Sequence, residues 1–135
     1  MNKLSLKCAD GTLVSPIALG TLYFGSRISQ ENVDALLDTF FALGGRQIDT
    51  ARSYADWLPG GESASERAIG RWLSGRNREQ VFVGTKGGLK PRGYNTTRGD
   101  LSQKNMENDL QKSLEALQTD YIDLYWLHRD DIQKT

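Results

Sequence analysis

Four polar side chains of different chemistry stand at comparable places in the sequence, at or just beyond the ends of short apolar segments. Asp49, Lys86 and His128 each end such a segment, and Tyr54 follows five residues after Asp49. A phenol is a weak acid near neutral pH, but a neighbouring ammonium group stabilises the phenolate and lowers the pKa. We therefore expect Lys86 to make Tyr54 a proton donor for a carbonyl oxygen. Asp49 would hold the lysine protonated and oriented, and neutral His128 would hydrogen-bond the substrate oxygen.

Each of these side chains also has a structural explanation when it is taken alone. Asp49 is suited to begin a turn, Lys86 to be a solvated strand end, and His128 to be a hydrogen-bonded packing residue. Tyr54 is equally well explained as an exposed loop tyrosine. A common site is favoured because three separate strands end in Asp, Lys and His, whereas strand ends more often finish in turn-forming residues.

The composition is typical of one soluble globular unit and excludes several classes of function. The 135 residues include 17 basic and 17 acidic side chains, and this zero net charge leaves no basic surplus for nucleic acid or an anionic membrane. One His and one Cys cannot supply a zinc site of the usual kind. Cys8 cannot form an intrachain disulfide, and we expect it to be an inert thiol. With no secretion signal or membrane-length apolar run, the expected location is the cytoplasm.

The elements that must position the four side chains alternate regularly along the chain. Residues 1–16 are expected to form an N-terminal β-hairpin with its turn at Asp10-Gly11. The expected strands cover 17–24, 46–49, 80–86 and 121–128, and three amphipathic helices between them begin after Ser29, Ser63 and Ser102. Apolar strands that alternate with helices indicate an α/β fold with a parallel sheet, either doubly wound or a barrel. The loops after the strands are long, which places function at the carboxyl ends of the strands.

Local patterns add detail to this arrangement. Ser63 and Glu66 have the spacing of a capping box at the start of the second helix. No Gly-x-Gly and no Gly-Lys-Ser/Thr occurs, so the Rossmann fingerprint and the P-loop are both missing. We expect the aromatic residues Trp72 and Trp126 in the core, whereas Trp57 and Tyr94, in loops after strands, are candidates for a pocket wall or for packing.

Several segments taken together resemble the N-terminal part of the aldo-keto reductase family. They are Leu19–Thr21, Ile48–Tyr54, Gly61–Glu66, Val83–Lys86, Leu117–Tyr125 and Leu127-His128. The resemblance implies a parallel (β/α)8 barrel of the TIM type, with its first four βα units over residues 17–135. It also implies hydride transfer between NADPH and an aldehyde or ketone. The residues implied as catalytic are Asp49, Tyr54, Lys86 and His128, with Tyr54 as the general acid.

The resemblance further implies a cofactor site at the first strand. Gly20, Thr21 and Leu22 would pass beneath the nicotinamide, and Asp49 would contact the cofactor as well. A full barrel needs about 250 residues, so we expect a truncated half-barrel that lacks most of the grip on the adenosine phosphate. Such a half would be inactive alone and would self-associate through its open barrel edges. The alternative is a non-catalytic half-barrel module for binding or assembly, like the family members that are ion-channel subunits.

Overall fold

The computed structural model describes residues 5–89 and 99–130, which leaves Tyr94 outside the described residues. The elements follow the order β1 (Ala18–Gly20), α1 (Gln30–Ala42), β2 (Gln47–Asp49), α2 (Ala64–Leu73), a 3-10 turn (Arg78–Gln80), β3 (Phe82–Gly87), α3 (Gln103–Leu117) and β4 (Leu124–Leu127). The four strands pair in the order β1-β2-β3-β4, and every pairing is parallel. The expected α/β alternation is confirmed, with one helix crossing over between each pair of neighbouring strands.

The register of the sheet brings the carboxyl ends of its strands to one edge. Gly20 pairs with Asp49, Asp49 pairs with Gly84, and Lys86 pairs with Trp126. Because paired residues of a parallel sheet point to the same face, Asp49, Gly84 and Lys86 share one face. The long loops that follow β2 and β3 therefore begin at the same rim.

Helix α1 forms where the sequence predicts it. The Ser29 hydroxyl accepts a hydrogen bond from the Asn32 backbone N–H, and Val33 and Leu37 are fully buried against the core. Gly44, with φ of +88°, follows the helix in a conformation that suits glycine. Leu36, expected on the same apolar face, is 45% exposed, because the face covered by the sheet and α2 is narrower than the apolar stripe.

The core lies between the helices and one face of the sheet. Trp72 is buried there beside Ile48 and Val83, as expected for a large apolar helix residue. The expectation that Trp126 is also a core residue is wrong, since 49% of its surface is exposed. Trp126 pairs with Lys86 and shares the face of the sheet opposite to the helices, so the helices do not bury it.

The start of α2 differs from the capping box that the sequence predicts. Ser63 has a left-handed backbone conformation with φ of 52°, and its hydroxyl makes no capping bond. Its N–H donates to the Arg52 carbonyl, so the chain enters the helix directly from the preceding loop. Glu66 turns into the interior instead, where it is fully buried and accepts a hydrogen bond from Thr85 at 2.6 Å. The tertiary contacts override the local signal.

The N-terminal segment is a short hairpin, followed by a first strand shorter than expected. Lys7 and Leu13 form an antiparallel bridge around the Asp10-Gly11 turn. Cys8 is buried in this hairpin, and burial raises the pKa of its thiol, as befits an inert cysteine. Strand β1 ends at Gly20 because the Phe24 N–H bonds to the Thr21 carbonyl and closes a turn. None of the described helices is long and apolar enough to span a bilayer.

Candidate active site

The Lys86 ammonium group lies at the centre of a polar cluster on the rim of the sheet. Its Nζ donates to Asp49 Oδ2 at 2.7 Å, to the Thr50 carbonyl at 2.7 Å and to Tyr54 Oη at 3.1 Å. These three acceptors match the three N–H bonds of an ammonium group. Three of the four side chains that the sequence singled out are therefore in direct contact.

The loop between β2 and α2 carries Tyr54 back over the end of β3. The Arg52 N–H donates to the Lys86 carbonyl at 3.1 Å, and the Tyr54 N–H donates to the Ala51 carbonyl at 3.2 Å. Further along, Gly61 packs so closely against the Ala55 carbonyl that a side chain there would overlap with it. The loop is thus held at both ends, and the phenol is directed at the lysine.

His128 follows β4 and approaches the cluster from the other side. Its N–H donates to the Gly87 carbonyl at 2.8 Å, which extends the β3–β4 ladder by one residue. Its ring meets the Tyr54 ring edge to face, with centroids 6.1 Å apart and planes at 82°. Burial, helped by the charges of Lys86 and Arg129 and opposed by Asp49, lowers the pKa of His128 below its ordinary value. The imidazole is therefore neutral at neutral pH.

Ser53 is a contact of His128 that sequence reasoning missed. Its Oγ lies 3.2 Å from His128 Nδ1, although the two residues are 75 positions apart in the chain. The available signal was its position directly before Tyr54, in the loop expected to cross the site. A small cavity beside the histidine is lined by Ser53, Asp56, Leu89, His128 and Arg129.

The residues expected to contact a cofactor lie next to Asp49. Gly20 is the β1 partner of Asp49, and the space where its side chain would stand is open. Thr21 is buried: its N–H and its hydroxyl both donate to the Asp49 carbonyl, at 3.1 and 2.9 Å. The Ser65 hydroxyl in turn lies within hydrogen-bond distance of the Thr21 carbonyl and hydroxyl. The Thr21 side chain and backbone thus anchor the loop beside Asp49. Leu22 is half-buried.

Beneath the cluster lies a set of buried polar groups whose contacts with one another no sequence motif indicated. Asp109 of α3 accepts from the Gly88 N–H at 3.0 Å and faces the Arg52 guanidinium at 3.9 Å. Glu66 of α2 accepts from Thr85, the neighbour of Lys86. Burial raises the pKa of Glu66. These contacts tie both helices to β3 and to the loop that carries Tyr54. In the described ranges, no group of three His, Cys, Asp or Glu side chains could hold a metal ion.

Comparison with known proteins identifies the family. Residues 16–135 match the model of the Aldo/keto reductase family. The chain belongs to that family. It is 37% identical over 136 residues to norsolorinic acid reductase B of Aspergillus parasiticus, covering 91% of this chain and 34% of the relative. It is 36% identical over 127 residues to an aryl-alcohol dehydrogenase of Pestalotiopsis microspora, covering 85% of this chain and 32% of the relative. The chain therefore spans about a third of the length of these curated relatives.

A solved structure places the described fold within an aldo-keto reductase barrel. The aldo-keto reductase of Klebsiella pneumoniae in complex with NADPH superposes with a TM-score of 0.67 and 29% identity, over 97% of this chain and 41% of that protein. Such structural neighbours are (β/α)8 barrels. The four parallel strands and their helices thus correspond to part of an aldo-keto reductase barrel, as the sequence predicts.

Proposed function

We propose that this chain supplies the catalytic groups of an NADPH-dependent reductase that converts an aldehyde or ketone to an alcohol. The observation that carries the proposal is the position of Lys86, whose Nζ bonds both to the Asp49 carboxylate and to the Tyr54 phenol. This arrangement sets a proton donor beside a fixed positive charge. It is the arrangement needed to deliver a proton to a carbonyl oxygen as that oxygen becomes negative.

Tyr54 acts as the general acid. When its proton passes to the substrate oxygen, the phenolate that forms is stabilised by the Lys86 ammonium group. The Asp49 carboxylate and the Thr50 carbonyl hold that ammonium in place by the two shorter hydrogen bonds of the cluster. When bound beside Asp49, NADPH would supply the hydride for the carbonyl carbon. In the reverse reaction, Tyr54 takes up the proton of an alcohol.

His128 orients the substrate. A neutral imidazole donates one hydrogen bond, and a carbonyl oxygen is a suitable acceptor. Because burial and the neighbouring cations keep the pKa of His128 low, the ring stays neutral and does not compete with Tyr54 as the acid. Its edge-to-face contact with the Tyr54 ring keeps the two groups on the same side of the site.

The residues beside Asp49 fit the nicotinamide end of the cofactor. The open space over Gly20 gives a flat ring room to approach the backbone, and Leu22 offers an apolar edge. Asp49 retains one carboxylate oxygen that is not bonded to Lys86. We propose that Gly20, Leu22 and Asp49 contact the cofactor, with Thr21 holding their loop in place. The NADPH complex of the Klebsiella pneumoniae neighbour supports this choice of cofactor.

The relatives suggest the kind of substrate to test. One is named a norsolorinic acid reductase and the other an aryl-alcohol dehydrogenase, so an aromatic aldehyde is a reasonable probe for the present protein. The alternative of a non-catalytic assembly module gains no support, because these relatives are named as enzymes.

The test is oxidation of NADPH by the full-length protein containing these residues, with benzaldehyde as the probe. We expect Tyr54→Phe to lower kcat at least about 10²-fold, because it removes the general acid. Tyr121→Phe is the matched control, since the buried Tyr121 hydroxyl makes no hydrogen bond within the described residues and lies before β4, at the other end of the strand. Turnover in Tyr54→Phe equal to that of the control would refute the assignment.

A further inference from the structure

Ser53 is placed to determine which nitrogen of His128 carries the proton. We propose that Ser53 is a positioning residue whose hydroxyl donates to His128 Nδ1, so that the ring presents its N–H at Nε2 to the substrate. The inference starts from the 3.2 Å contact between Ser53 Oγ and Nδ1. It rests on the proposed function for the role of the Nε2 proton, but the tautomer itself is a property of this chain and is measurable without substrate.

The direction of the Ser53–His128 hydrogen bond follows from what a neutral imidazole has available. One ring nitrogen carries a proton and donates, and the other has a lone pair and accepts. A serine hydroxyl can donate to an unprotonated ring nitrogen or accept from a protonated one. The contact alone is therefore compatible with both tautomers. A carbonyl oxygen in the site needs a donor, which requires the proton on Nε2. Nδ1 is then an acceptor, and the Ser53 hydroxyl is a donor within hydrogen-bond distance of it.

The backbone around Ser53 makes this contact rigid. The Ser53 carbonyl accepts from the Asp56 N–H at 3.1 Å, which closes a turn. The preceding residue, Arg52, is bonded through its N–H to the Lys86 carbonyl, and the following residue is Tyr54. The same short stretch of loop therefore places the phenol beside the lysine and the hydroxyl beside the imidazole. Ser53 links the proton donor and the substrate-orienting ring in one fixed geometry.

The tautomer is read by nitrogen NMR of the imidazole. The 135-residue chain contains one histidine, so its two ring nitrogens give signals without overlap from another imidazole. In ¹⁵N-histidine-labelled chain, above the titration range of His128, we expect Nε2 to be protonated and Nδ1 to be unprotonated. Ser53→Ala should give a mixture of the two tautomers, and Ser53→Thr, which keeps a hydroxyl, should preserve the wild-type pattern.

Ser74→Ala is the matched control, because Ser74 is an exposed serine at the end of α2. Its spectrum should equal that of the wild type. A proton on Nδ1 in the wild-type chain would overturn the proposal. So would a Ser53→Ala spectrum that equals that of the control.

Kinetics of the full-length protein provide a second measurement that does not depend on the spectrum. We expect Ser53→Ala to lower kcat/KM about tenfold, with a rise in KM, since one substrate hydrogen bond is weakened. Ser53→Thr should restore kcat/KM to within about twofold. A loss of folded protein would lower the maximal rate and leave KM unchanged.

An active enzyme with the same kcat/KM in Ser53→Ala refutes the Ser53 assignment alone. The expected tautomer in an inactive full-length protein refutes the proposed function and leaves the Ser53 assignment standing.

Discussion

Asp49 and Lys86 form a 2.7 Å ion pair across two parallel strands although they are not opposite each other. The strand partner of Asp49 is Gly84, and Lys86 stands two residues further along β3 on the same face. Because glycine has no side chain, nothing on β3 separates the carboxylate from the lysine. The pair is only partly exposed, and it fixes the ammonium group where the Tyr54 phenol reaches it.

The first prediction concerns the charge of Asp49. Asp49→Asn keeps the shape of the side chain but removes the negative charge that holds the ammonium group, so we expect kcat of the full-length protein to fall about 10²-fold. The measurement is steady-state NADPH oxidation with an aldehyde. Asp34→Asn is the matched control, since the Asp34 carboxylate accepts from Gln30 on α1. Equal losses in the two variants would contradict the role of Asp49.

The second prediction concerns His128 and pH. Burial lowers the folded pKa of His128 below the ordinary value of 6.5. The charges of Lys86 and Arg129 lower it further, and the charge of Asp49 opposes them. The unfolded chain then binds the proton more readily than the folded one. The contribution of His128 to stability is fully present above pH 6.5 and is lost as pH falls through the folded pKa.

Urea unfolding of the chain between pH 7.5 and 5.5 measures this effect. We expect wild-type stability to decrease over that interval and His128→Gln to show a smaller decrease, because glutamine does not titrate. NMR titration of the same single histidine gives the folded pKa independently. A folded pKa above 6.5, or equal slopes in the two proteins, would be inconsistent with the environment described for the ring.

The order of elements and the contacts of the rim could be predicted from the sequence, because both follow from local patterns. Apolar periodicity and the caps at Ser29 and Ser102 mark two helices, and both serines accept the expected backbone N–H. The residues that end or directly follow strands meet because a parallel sheet aligns its carboxyl ends. Asp49 and Lys86 are therefore brought together by the topology itself, and the loop after β2 adds Tyr54.

The features that sequence reasoning missed depend on tertiary contacts that the local sequence does not specify. Trp126 follows the apolar pattern of a core strand, but its face of the sheet lies away from the helices. The Ser63 and Glu66 pair has the spacing of a capping box, yet the incoming loop sets Ser63 in a left-handed conformation and Glu66 turns inward. The Ser53–His128 contact joins residues 75 apart, and no local pattern encodes it.

The third prediction concerns the buried charge of Glu66. Burial raises the folded pKa of Glu66 above the ordinary value of 4.5. A carboxyl group shifted in this direction favours the folded state most below pH 4.5, and that contribution is lost as pH rises through the folded pKa. Glu66→Gln keeps an acceptor for the Thr85 hydroxyl and removes the charge. We expect its stability to decrease less than that of the wild type between pH 4.5 and pH 7, and Glu66→Ala to be destabilised throughout.

Equilibrium unfolding at several pH values, with Glu107→Gln on the exposed side of α3 as the matched control, distinguishes these cases. The control should follow the wild-type curve. A Glu66→Gln curve parallel to that of the wild type would mean that Glu66 is not the titrating group.

The fourth prediction concerns the contact between α2 and α3 at Gly70. Alanine is favoured over glycine within a helix by about 1 kcal/mol, so propensity alone predicts that Gly70→Ala stabilises the protein. However, a side chain there would overlap with the Ala116 carbonyl oxygen and lie 2.9 Å from the Leu117 carbonyl carbon. Both neighbours are backbone atoms of α3, which move only if the helices separate. Overpacking of this kind costs about 1–3 kcal/mol, so we expect a net destabilisation, measured as a lower midpoint of urea unfolding. Asn108→Ala, on the exposed face of α3, is the control and should leave stability unchanged or slightly raised. If Gly70→Ala were as stable as that control, the close approach of the two helices at this glycine would be disproved.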